Sequence, residues 1–393
     1  MSISSITKFV DEQELINLTS ELIKIPSITG NEGAISEFLE GRMRTLGLTT
    51  NRYEAEAGRP NIVGILHGTE GNPKIILNGH MDTVPPGNLD DWTYDPFGGE
   101  VSNGKIYGRG SCDMKGGIAS TLSAVKAIVD SGTRLKGDII FSSVVDEERG
   151  GYKGTKYLVD QGILGDQALI AEPSQLNILI AHKGDLGLDL TIHGKAAHAA
   201  NPEMGLNAIH KMMYVIDNIL RIPQTFNWNQ KIHKLVGPPT IGISVINGGL
   251  QRNMVPDKCS CIIDRRVVPA IESIDEAKRE IETELNRLKS LDPQLKAEIK
   301  TLLEVEACEI KEEEQIVQTL RSCFKEHMQK EPKITGVSYF TDAHFLVNQA
   351  GIPTAMFGPG SIDRAHAVNE YVEVDQLINA SKIYAQTLTK LLR

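Results

Sequence analysis

Five residues of this 393-residue chain have the types and settings of metal ligands: His80 in His-Met-Asp-Thr-Val-Pro, Asp113 in Asp-Met-Lys-Gly-Gly, Glu148 of the Glu147-Glu148 pair, Glu172 and His366. Imidazole and carboxylate together suit a borderline ion such as zinc, and a catalytic ion keeps an open position beside its protein ligands. Five ligands with one carboxylate shared suffice for two ions at roughly 3.5–4 Å, the spacing of two-metal hydrolases. Sharing by Asp113 leaves each ion three protein ligands and room for water. The adjacent glutamates suggest two jobs: Glu148 as a ligand, and Glu147 as a general base that takes a proton from the attacking water and returns it to the leaving amine. Asp82, two residues after His80, can accept the imidazole's free N–H and fix its tautomer, as partners of metal-bound histidine usually do. A lone histidine is more often structural, and adjacent carboxylates usually stay at the surface because they repel. The company of the other ligand types, and a cation among them, reverses both expectations.

The elements around these residues read as a scaffold for such a site. Apolar runs precede most of them: Ile75-Ile76-Leu77 before His80, Ile139-Ile140-Phe141 and Val144-Val145 before Glu147, Leu169-Ile170 before Glu172. Each run predicts a buried strand, and in an open α/β sheet the crevice beyond the strands' carboxyl ends is where sites form. Asp113 follows a glycine-rich turn and precedes an amphipathic helix with Ile118, Leu122, Val125 and Val129 on one face and Gly132 as its stop.

Seven segments together resemble a known family: His80-Met-Asp-Thr-Val-Pro, Gly108-Arg-Gly-Ser-Cys-Asp-Met-Lys-Gly-Gly, Asp146-Glu-Glu, Ala171-Glu-Pro-Ser, Gly194-Lys-Ala-Ala-His-Ala, Gly358-Pro-Gly-Ser and Ala365-His-Ala-Val-Asn-Glu-Tyr-Val. They are similar to the di-zinc amidohydrolases that include acetylornithine deacetylase, succinyl-diaminopimelate desuccinylase, aminoacylase and the glutamate carboxypeptidase. The resemblance implies one zinc on His80, Asp113 and Glu172, the other on Asp113, Glu148 and His366, with Glu147 as base and Asp82 as orienting carboxylate. It implies a cis peptide after Asp113. It also implies that His198, from a smaller domain, stabilises the oxyanion in the other subunit of a dimer, and that Asn253, Arg266 and Gly360 contact substrate. Read without the family, His198 could pack a small-residue turn and Arg266 could be a strand-end surface charge. One departure falls at Tyr339-Phe-Thr-Asp-Ala-His344, where His344 stands in place of the family's frequent arginine and should alter recognition of the substrate's acyl or side chain.

Length and composition agree with this reading. A chain of 393 residues exceeds the usual growth of one core, so two domains are expected. After Glu172 the rhythm changes to strand, helix, strand, strand, helix, strand, which predicts a ferredoxin-like βαββαβ unit over 184–302 inserted into an α/β catalytic domain of residues 1–183 and 303–393, a mixed sheet flanked by helices. Exposed edge strands in the insert, together with the family resemblance, predict a homodimer through 184–302. A net charge of −10 spread along the chain argues against a nucleic-acid partner. No apolar stretch of membrane length is present, which argues against a membrane partner. Five cysteines without a paired framework and an N-terminus without a signal core predict a cytoplasmic protein.

The expected activity is metal-assisted hydrolysis of an amide with two divalent ions, zinc first and cobalt or manganese as alternatives. The expected substrate is an N-acyl amino acid carrying an acetyl or succinyl group. The alternatives are a dipeptidase or carboxypeptidase using the same machinery, and a non-catalytic binding relative.

Overall fold

The apolar runs that precede the candidate ligands become neighbouring strands of one mixed sheet. In the computed structural model, which describes residues 3–393, that sheet runs in the order Thr49–Glu54, Pro60–Leu66, Asp138–Val144, Lys74–His80, Gln167–Ile170, Thr354–Met356, Ile178–His182. Four consecutive strands, from Asp138–Val144 to Thr354–Met356, are mutually parallel. Their near-continuous burial is what a sheet covered on both faces requires. Because they point the same way, their carboxyl ends lie side by side, and each ends in a candidate ligand or feeds a loop that carries one.

Register refines the alignment. Asn78 pairs with both Ser142 and Ile170, and His80 pairs with Val144. Carried two residues on, the same register sets Glu172 level with His80. The helices Gly116–Asp130 and Val374–Leu392 pack against each other, and in the first of them all but three positions are buried. Burying Ile118, Leu122 and Val125 contributes about 1.5–3 kcal/mol each. At Gly117 a Cβ would lie 2.0 Å from the Ala171 carbonyl oxygen, so this helix can approach the Glu172 strand end only with glycine there.

The chain divides into two compact units, and the one just described resumes over Ile310–Thr335 and Thr341–Arg393. The other comprises Ala181–Glu309 with the short return Gly336–Phe340. Its elements follow the βαββαβ order: Gly184–His193, Ala208–Ile219, Thr240–Gly248, Lys258–Val267, Ile274–Leu291 and Lys296–Val305. The strands form an antiparallel sheet with Thr240–Gly248 and Lys296–Val305 at its edges. Alternation along Lys258–Val267 turns Cys259, Cys261 and Ile263 inward, onto a core with Met212, Val215, Ile281 and Leu285 of the two helices. Ser273 and Glu276 form a reciprocal capping box that starts the second helix. The α/β class and the inserted βαββαβ order expected from the sequence are therefore present. No helix among the described residues is long and apolar enough to cross a membrane.

Candidate metal centre

His80, the last residue of its strand, presents Nε2 to the Asp113 carboxylate at 2.9 Å and lies 3.7 Å from Glu172 and 3.9 Å from Glu147. His366 presents its own Nε2 to the other Asp113 oxygen at 3.5 Å and to Glu148 at 3.1 Å. Asp113 thus turns Oδ1 to one histidine and Oδ2 to the other. All five candidate ligands and Glu147 converge within a single unit, and His80, Asp113 and Glu148 could hold one ion among them.

Local backbone explains how these side chains arrive. Ser111–Lys115 is a kinked turn in which Asp113 (φ −122°, ψ 97°) and Met114 (φ −130°, ψ 32°) leave helical conformation, and its Asp113–Met114 peptide is cis. Asp146 sits at φ 72°, a left-handed conformation that a non-glycine residue adopts only when held. The buried Arg59 holds it, donating to Asp146 at 3.2 Å while paired with Glu32 at 2.6 Å. The turn at Asp146 leads directly into the short helix Glu147–Arg149. His366 is also left-handed, at φ 59°.

Asp82 plays a different part from the one its spacing suggests. The nearest acceptor for His80 Nδ1 is the backbone carbonyl of Asp82 at 2.9 Å, and the Asp82 carboxylate stands 3.6 Å away. That carboxylate instead accepts the Glu147 N–H at 3.2 Å, the Glu148 N–H at 3.3 Å and the Thr29 hydroxyl at 2.9 Å. Asp82 therefore orients the imidazole with its main chain and seats the glutamate pair with its side chain.

Electrostatics describe a site built for cations. Burial raises the Glu147 and Glu172 carboxyls well above the ordinary range, reinforced by neighbouring carboxylates. Burial alone would lower the His80 imidazole, but the Asp113 hydrogen bond and the Glu147 and Glu172 charges carry it upward. His366 is pushed up to about 10 by its bonds to Asp113 and Glu148. Among the described residues no lysine or arginine pairs with any of the five, and the buried Glu172 Oε1 accepts no hydrogen bond. Two imidazoles and three carboxylates with such an orphaned oxygen fit divalent ions.

In the sequence Asp342 stands out only as part of a motif, yet it is a further buried acid near this centre. Its Oδ2 accepts the Thr155 hydroxyl at 2.7 Å, Thr155 in turn accepts from Asn78 at 2.9 Å, and burial pushes Asp342 up to about 7. Gly151, at φ 72°, leaves it space, since a Cβ there would lie 2.1 Å from Asp342 Oδ1. His344 belongs to the same unit, buried with its ring against Phe345 at 3.7 Å. Gly360 lies behind the ligand turn: a Cβ would meet Cys112 Sγ at 2.6 Å, and its N–H donates to Gln376 at 2.9 Å.

The remaining candidates belong to the inserted unit. Ala197–His198 pairs with Met254–Val255 in a two-stranded ribbon, and the Ala199 N–H donates to the Asn253 carbonyl at 3.0 Å, which brings His198 and Asn253 together. His198 is exposed, and its Nδ1 accepts the Ala200 N–H at 3.1 Å, so a neutral ring carries its proton on Nε2. Arg266 is occupied by two carboxylates, Asp264 at 2.8 and 3.0 Å and Asp185 at 3.0 Å.

Residues 76–390 match the model of Peptidase family M20/M25/M40. The chain belongs to that family. M20 members hydrolyse amide bonds, and this chain is a hydrolase of that class, as its motifs led us to expect. It is 31% identical to the N-formyl-4-amino-5-aminomethyl-2-methylpyrimidine deformylase of Bacillus subtilis (strain 168), over 97% of this chain and 96% of the relative. It is 27% identical to a probable succinyl-diaminopimelate desuccinylase of Staphylococcus aureus (strain MSSA476), over 97% of this chain and 98% of that one. Among solved structures, a tripeptidase from Staphylococcus aureus superposes with a TM-score of 0.80 at 23% identity, covering 98% of this chain and 100% of that one, a likeness of M20 fold.

Proposed function

We propose that this M20 protein is a dinuclear metal-dependent deacylase that removes a small acyl group, acetyl or succinyl in type, from an N-acyl amino acid. The observation that carries the reading is the division of Asp113 between His80 and His366, with Glu172 on one side, Glu148 on the other and Glu147 beside His80. His80, Asp113 and Glu172 would hold one ion and Asp113, Glu148 and His366 the second, zinc by choice of donors, with cobalt or manganese compatible. Two such ions supply Lewis acidity at the amide carbonyl and a water of lowered pKa.

The protein's own groups then carry the proton. Glu147 is anchored through its backbone to Asp82 and is left out of the ligand set. It takes the proton of the attacking water, holds it in a buried setting and delivers it to the departing nitrogen. His198, with Nε2–H as donor, serves the oxyanion. The exposed edge Thr240–Gly248, with Val245 46% and Ile246 54% exposed, supports pairing of two copies through the inserted unit. Asn253, Arg266, His344 and Gly360 are assigned to substrate recognition. Five free, buried cysteines suit a cytoplasmic protein.

Relatives named for removing formyl and succinyl groups favour a deacylase over a peptidase. The test is amine release from N-acetyl, N-succinyl and N-formyl amino acids beside dipeptides and a formylated amine without a carboxylate, using zinc- or cobalt-loaded protein and a chelated control. Chelator-sensitive release from acyl amino acids is expected. Release from dipeptides alone moves the protein to a peptidase role, and release only from a formylated amine that lacks a carboxylate overturns the amino-acid assignment.

A further inference from the structure

The loops that carry Asp113 and His366 are joined by one buried side chain outside the ligand set. Glu370 follows His366 by four residues and is fully buried, with its carboxylate turned to the Asp113 turn. Its Oε1 accepts the Cys112 N–H at 2.9 Å and the Asp113 N–H at 3.1 Å. Its Oε2 accepts from Arg109 at 2.5 Å, and Arg109 is 3% exposed. The main chain repeats the tie: the Gly108 N–H donates to the Glu370 carbonyl at 2.9 Å. Arg109 is fixed in turn, its own N–H donating to the Pro96 carbonyl at 2.8 Å and its guanidinium lying 5.4 Å from the Trp92 ring centroid.

Charge-assisted bonds from one carboxylate to two successive backbone N–H groups are short and directional. They fix the peptide from which the Asp113 side chain springs. The same residue sits on the chain that leads from His366. A displacement here would alter the placing of Asp113 toward both histidines at once, whereas loss of His366 removes a ligand from one side alone.

We propose that Glu370, buttressed by Arg109, is a positioning residue for both metal ions, setting the bridging carboxylate of Asp113 relative to His366. The inference rests on the dinuclear reading above. It concerns residues that touch neither metal nor substrate, so it is tested by metal affinity as well as by turnover.

Zinc is titrated into apo-protein against a chromophoric chelator, for wild type, Glu370→Gln, Arg109→Met, Arg109→Lys, His366→Ala and Arg265→Met. Arg265→Met removes an equally buried ion pair in the other unit and controls for general destabilisation. Wild type should take two ions. Glu370→Gln and Arg109→Met should weaken both binding steps by about 10–100-fold, the range for partners that support metal ligands, and lower kcat more than they raise KM. Arg109→Lys keeps the charge on Oε2 and should restore affinity to within a few-fold. His366→Ala should weaken one step only, and Arg265→Met neither. Wild-type affinity at both steps in Glu370→Gln overturns the positioning role, and so does a loss no greater than that in Arg265→Met. A wild type that takes no zinc overturns the dinuclear reading itself, an outcome separate from the other two. Should Glu370→Gln fail to fold, Arg109→Met against Arg109→Lys decides the question on the same scale.

Discussion

The carboxylate of Asp82 accepts the backbone N–H of Glu147 at 3.2 Å and, through its other oxygen, that of Glu148 at 3.3 Å. One side chain thus seats both the proposed base and a proposed ligand. Burial pushes Asp82 up to about 6, and the neighbouring His80 imidazole works against that rise. Asp82→Ala should therefore lower metal affinity and kcat together, each by about 10–100-fold. Thr29→Val removes only the third hydrogen bond and should stay within a few-fold of wild type. Metal content by atomic emission and steady-state kinetics on both variants check this, and a fully loaded, fully active Asp82→Ala would remove the seating role.

Glu147 and Glu148 are adjacent yet should fail differently. Glu147→Gln keeps the shape and the backbone anchor but cannot accept a proton, so two ions should remain bound while kcat falls by about 10²–10⁴-fold. Glu148→Gln should instead lose metal, since His366 faces Glu148 and the Asp113 edge. Equal metal loss in both variants would contradict the division of labour.

His198 should act on the transition state rather than on the bound substrate. Its Nδ1 is occupied by the Ala200 N–H, which directs Nε2–H outward as a donor. His198→Ala should lower kcat by about 10²-fold, the cost of one oxyanion donor, with KM changed little and metal content unchanged. A variant that raises KM alone would show ground-state binding instead.

Much of the centre was legible because chemistry and periodicity coincide there. Buried strands read as short apolar runs, and each of three such runs ends just before a ligand-type residue, so His80, Glu147-Glu148 and Glu172 stood out. Asp113 was legible from the glycine-rich turn before it and the amphipathic helix after it, and His366 through motif alone, since a left-handed residue in a loop leaves no periodic trace. The partner of the His80 imidazole was misjudged because spacing cannot tell a carboxylate from the backbone carbonyl of the same residue. Arg59, Glu32, Asp342 and Glu370 were not singled out. Each acts through contacts far along the chain, such as Arg59 with Asp146 or Glu370 with Arg109. Arg266 was assigned to substrate from its motif, and only the fold shows two aspartates already on its guanidinium.

One of those aspartates gives the inserted unit a pH signature. Burial pushes Asp185 up to about 6 despite the Arg266 charge that opposes it. Its unfolded value is near 3.8, so below that pH both states hold the proton and no penalty exists. Between 4 and 6 the unfolded chain releases the proton while the folded one retains it, and stability falls. Above 6 the penalty is complete, at most about 3 kcal/mol for a shift of roughly two units. In urea unfolding, Asp185→Asn should gain on wild type as pH rises from 4 to 7. A gap that is constant with pH would refute the shift.

The last prediction concerns the charge cluster inside the inserted unit. Arg265 is fully buried on the strand Lys258–Val267, bonded to Glu272 at 2.7 Å and near Glu280 at 3.5 Å, with its guanidinium 3.9 Å from the Trp228 ring centroid. Lys231 meets the same two glutamates at 3.0 and 2.6 Å, and the Trp228 indole donates to Glu280 at 3.0 Å. This network ties the segment after the first helix, with Trp228 and Lys231, to the sheet and to the start of the second helix. Replacing the whole network with apolar residues could be neutral, because burying ions is costly in itself. Removing only the arginine takes from Glu272 and Glu280 one of the two cations they share, and Arg265→Met should cost about 3–5 kcal/mol in urea unfolding of this unit. Adding Glu272→Gln to Arg265→Met should recover part of that loss, because one uncompensated carboxylate disappears. A double variant less stable than Arg265→Met would show that Glu272 contributes through Lys231 and the Val268 N–H more than through Arg265.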